Sequence, residues 1–108
     1  MLYIIQLFFI FSIQNIDPYE FLNAKWCESK DKECFIITYE NGLLIYEIPD
    51  GGFRSGIEMI KFDKKQKQIF WRIVGTSKKT QYFKILNSTT VEHFDGVETR
   101  KIKKFKIK

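Results

Sequence analysis

FIITYENGLLIYEI, residues 35–48, decides the fold. Two apolar runs, 35–40 and 43–48, enclose Asn41-Gly42, the strongest short hairpin signal a sequence carries. The same punctuation continues to the end of the chain. The runs FRSGIEMIKF (53–62), QIFWRIVG (68–75), TQYFKILN (80–87), TVEHF (90–94) and VETRKIKKFKI (97–107) are separated by PDGG, DKKQK, TSKK, NST and DG. Connections this short force neighbouring strands to pair antiparallel. The expectation is an all-β up-and-down meander of about seven or eight strands. It forms a small closed or partly open barrel whose interior is filled by side chains or holds one small ligand.

Alternation assigns faces within the runs. Phe53, Ile57 and Met59 alternate with Arg54, Gly56 and Glu58, and Gly56 marks an expected bend or bulge. Ile69, Trp71 and Ile73 share one face, with Phe70, Arg72 and Val74 on the other. Phe83 and Ile85 oppose Tyr82, Lys84 and Leu86. The expected core is Trp26, Phe35, Ile37, Leu44, Ile57, Met59, Trp71, Phe83 and Ile85. Asp95-Gly96 reads as a second tight hairpin. Upstream, Asp17-Pro18-Tyr19-Glu20 starts a helix of at most two turns. Asp17 caps it, Pro18 takes the first position, and Tyr19, Phe21 and Leu22 close one end of the barrel.

At 108 residues the chain holds one domain, placed at 17–108. Aromatic content of 17% suits half-buried pleated surfaces. The net charge of +5 is unevenly spread: nine acids and four bases over 17–60, against four acids and fourteen bases over 61–108. Residues 1–16 carry no charged side chain. The apolar run 2–13 has the length of a signal-peptide core and is short for a membrane span, which needs about 20 residues. It reads as an export signal, with a buried first strand as the alternative. Cys27 and Cys34 flank a polar loop, Glu-Ser-Lys-Asp-Lys-Glu. In an oxidising compartment, periplasmic or extracellular, they pair across the neck of a hairpin. The alternative is two unpaired thiols, one at each end of the loop.

Leu22-Asn23-Ala24-Lys25-Trp26 resembles the short helix and Gly-x-Trp strand that open lipocalins and fatty-acid-binding proteins, with Ala24 in place of the glycine. Asp95-Gly96-Val97-Glu98-Thr99-Arg100 resembles their last hairpin. The stretch 22–107 looks like the reduced lipocalin-like domains of small exported bacterial proteins. The resemblance implies that Arg100 packs on Trp26 and that the barrel serves binding.

No catalytic constellation is present in the sequence. His93 is the only histidine, and Glu92 points to the opposite sheet face. No serine or cysteine sits in a nucleophile context, and Gly51-Gly52 is a turn rather than a phosphate loop. No metal or cofactor is expected. Two non-catalytic functions follow. The first is a binding module for a small apolar ligand or a protein partner, its barrel mouth lined by Phe53, Trp71 and Tyr82. The second is an inhibitor or polyanion-binding protein that acts through its surface. It would use Arg100, Lys101, Lys103, Lys104 and Lys106, part of a run with six cations in nine residues. The bland reading of that run is a sheet edge guarded by lysines. Nucleic acid is disfavoured by export, and an anionic glycan or lipid headgroup surface fits better.

Overall fold

The computed structural model describes residues 16–29, 32–75, 79–96 and 102–107, with the side chains of 102–104 excepted. The expected export signal, 1–16, lies outside these residues except for Ile16, which packs against the core. A short helix, α1 (Pro18–Leu22), leads into eight strands: β1 (Ala24–Ser29), β2 (Lys32–Glu40), β3 (Leu43–Ile48), β4 (Phe53–Asp63), β5 (Gln68–Ile73), β6 (Gln81–Asn87), β7 (Thr90–Phe94) and β8 (Ile102–Ile107). They form a closed antiparallel barrel in sequence order, with β8 returning to β1. No described helix is long and apolar enough to cross a membrane.

Local chemistry explains the elements. Asn41 and Gly42 both have positive φ, 53° and 79°, which the mirror-image two-residue turn demands. The Asp17 side chain accepts from the Tyr19 amide at 2.9 Å and caps α1, with Pro18 in its first turn. Cys27 stands directly opposite Cys34 in the β1–β2 register, and the two form a disulfide with Cα atoms 4.1 Å apart.

Eight of the nine expected core residues are buried, and Met59 is half-buried against them. Two local expectations are corrected. Gly56 stays in the ladder opposite Ile45, and the bulge falls between Met59 and Lys61, leaving Ile60 exposed. A bulge turns out the surplus residue, and here that is an isoleucine rather than the glycine. His93 faces Ile102, so the connection between β7 and β8 is longer than a two-residue turn at Asp95-Gly96.

Alternating strand directions sort the connections into two ends. Helix α1, the turn 41–42 and the turns 64–67 and 88–89 gather at one end. The turn 49–52 and residues 74–75 and 95–96 gather at the other. The first end is capped by α1. Phe21 and Leu22 are buried, the Trp26 indole N–H donates to the Leu22 carbonyl at 3.0 Å, and Tyr19 packs on Tyr39. Lys106, opposite Trp26 in the β1–β8 register, lays its Nζ 4.4 Å from the Phe21 ring centroid and 5.3 Å from that of Trp26. Burial lowers the Lys106 pKa, while the negative ring faces favour the charged form.

Candidate functional site

The interior changes character toward the end opposite α1. There the inward rows of β3, β5, β6 and β7 carry Tyr46, Trp71, Gln81 and His93, and Phe53 enters from the start of β4. Trp71 stands beside Gln81, and His93 beside Phe83, in the strand registers. The His93 ring lies parallel to Trp71 at 5.8 Å and meets Phe83 edge-on at 5.1 Å. Phe35 closes another side, 4.9 Å from Tyr46 and 5.5 Å from His93. The Phe53 ring meets Tyr46 edge-on at 6.0 Å.

Polar atoms are set into this aromatic box. His93 Nε2 and Gln81 Oε1 are 2.8 Å apart, so the ring N–H donates to the amide oxygen, and both residues are buried. Burial, and then the negative charge of Asp95, pushes the Tyr46 phenol up to about 12. Tyr46 therefore keeps its proton at physiological pH and remains a donor. The Trp71 indole N–H is buried and has no acceptor among the described residues. No group of three or more metal-ligating side chains occurs among the described residues.

Of the three residues expected to line a ligand site, Trp71 and Phe53 are in this cluster. Tyr82 is not: it lies on the outer face of β6 between Phe70, at 5.5 Å, and Phe94, at 5.2 Å. Lys61 Nζ sits over Phe70 at 4.9 Å, completing an external cross-strand row. Strand alternation places Tyr82 opposite the inward-facing Phe83, and the ladder keeps that parity. Tyr46, Gln81 and His93 were not expected as site residues. The available signal was a polar residue on an otherwise apolar inward row, His93 beside Phe83 and Gln81 beside Trp71.

A separate groove of about 420 Å³ runs along β3 and β4, lined by Leu43, Ile45, Gly56, Glu58 and Val74 among others. Phe53, Trp71 and Tyr82 are not in it. Glu58 pairs with Arg72 beside it.

The basic C-terminal residues are only partly placed. Arg100 and Lys101 lie outside the described residues. Lys103 stands opposite Glu92 and Lys104 opposite Val91 in the β7–β8 register. Among the described residues, Lys106 lies over Trp26; the expected packing of Arg100 on Trp26 falls outside the described residues. Strand β8 is bonded to β7 on one side and β1 on the other, so it is not a sheet edge. The guarded-edge explanation of its lysines is thereby overturned.

Comparison of the chain with models of protein families, with curated proteins and with solved structures found no match.

Proposed function

We propose that this chain is an exported, non-catalytic binding module that takes a small, largely apolar ligand at the barrel end opposite α1. One observation carries the reading. The interior there embeds polar groups, Tyr46, Gln81, His93 and the Trp71 N–H, among aromatic rings, whereas the opposite end is capped by a helix. Apolar walls with a few placed polar groups are the usual composition of small-molecule sites. The disulfide and the uncharged apolar N-terminal run support export. The resemblance to lipocalin-like domains agrees with it, and a protein partner at the same end is the nearest variant.

Displacement of an environment-sensitive fluorescent fatty acid tests the reading. Micromolar protein should enhance the probe's emission, and an unlabelled apolar competitor should reverse it. No enhancement at that concentration contradicts a ligand-binding interior.

A second reading rests on β8. Its lysines lie on a strand bonded on both sides, and their concentrated positive charge favours a polyanion surface. Replacing Lys101, Lys103 and Lys104 by glutamine, with Lys106 kept because it packs over Phe21 and Trp26, should move elution from heparin to markedly lower salt. Co-elution with the parent removes this reading.

A further inference from the structure

The two tryptophans are equally buried and differently satisfied. The Trp26 N–H reaches the Leu22 carbonyl, while the Trp71 N–H meets no acceptor among the described residues. A buried donor without an acceptor is unfavourable and calls for a partner. Donors lie close by. The Tyr46 phenol holds its proton, and the Gln81 amide oxygen is engaged by His93, which leaves the Gln81 N–H groups. The Trp71 and His93 rings stack on each other, 16° apart with centroids 5.8 Å apart, so aromatic surface borders the Trp71 N–H. Burial among apolar rings disfavours an ionised group at this end.

We infer that the Trp71 indole N–H anchors a neutral carbonyl-type acceptor on an apolar ligand, with Tyr46 and Gln81 as neighbouring donors. This assignment rests on the ligand-binding reading above and specifies the chemistry of its ligand. It separates a ketone, ester or amide from both a hydrocarbon and a carboxylate of the same shape.

Three probes on one aromatic frame test it with the full chain: 2-acetylnaphthalene, 2-ethylnaphthalene and 2-naphthoate. The two indole N–H signals of the nitrogen-15-labelled protein provide the readout. The ketone should bind about ten-fold more tightly than the hydrocarbon, the difference made by one hydrogen bond to a buried donor. It should also bind more tightly than the carboxylate. It should move the Trp71 indole signal downfield and leave that of Trp26 in place. Trp71→Phe should bring the ketone's affinity down to the hydrocarbon's, and the wild-type signals decide the matter if that variant does not fold. Equal affinity for ketone and hydrocarbon with an unmoved Trp71 signal overturns the anchor while leaving the binding reading intact. Tightest binding of the carboxylate overturns the neutral-acceptor assignment. Failure of all three probes to bind overturns the binding reading and the anchor together.

Discussion

Replacing Trp26 by alanine destabilises the barrel by about 3–5 kcal/mol, the range for a large aromatic removed from a packed core. A small domain has a total stability of roughly 5–15 kcal/mol, so the variant should be largely unfolded in mild urea. The size of the effect follows from position. Trp26 is fully buried and contacts Phe21 at 5.5 Å and Phe83 at 5.0 Å between ring centroids. Its N–H holds the last carbonyl of α1, so truncation also leaves Leu22 without that donor. It sits on β1, the strand that joins β2 to β8 and closes the barrel. Leu43→Ala is the matched control: Leu43 is 64% exposed, and its loss should change stability by no more than about 0.5 kcal/mol. Urea titrations followed by far-UV circular dichroism check both values.

The second large effect appears at alkaline pH. The Tyr46 pKa is pushed from its ordinary value of 10.0 to about 12, first by burial and then by Asp95. The unfolded chain therefore loses this proton at lower pH than the folded one. The stabilisation is fully present below pH 10 and is lost as pH rises toward 12. A shift of this size corresponds to about 2–3 kcal/mol. Tyr46→Phe should flatten the alkaline limb of the stability curve by that amount relative to wild type. Asp95→Asn should flatten it by a smaller part, since burial is the larger cause. Denaturant melts at pH 9, 10.5 and 11.5 measure the difference. Identical alkaline limbs for wild type and Tyr46→Phe would show that the phenol is not confined as the structure has it.

Much of the architecture was legible because local chemistry and tertiary structure agree in a meander. Asn41-Gly42 dictates its own turn, and alternation in 68–73 and 81–87 puts Trp71, Phe83 and Ile85 inside without reference to other strands. Cys27 and Cys34 pair because the hairpin that separates them is local. What failed depended on long-range register. The bulge at Ile60 relieves the fit of β4 to β5, a matter of pairing that Gly56 alone does not report. The longer β7–β8 connection depends on where β8 meets β1 and β7 together. The candidate site was half legible for the same reason. Period-two patterning gives the face of a residue but not its height along the barrel. Tyr46, Gln81 and His93, from strands well separated in sequence, became neighbours only on closure. Tyr82 carried a suitable aromatic ring on the wrong face.

A backbone amide shift map of the protein titrated with 2-acetylnaphthalene tests the central claim most directly. If the ligand enters the end opposite α1, the largest changes fall on Tyr46, Phe53, Trp71, Gln81 and His93, while α1, Trp26 and Tyr39 stay unmoved. Changes concentrated instead along the groove at 42–45 and 55–59, or on β8, with the His93–Gln81 cluster unperturbed, would contradict it.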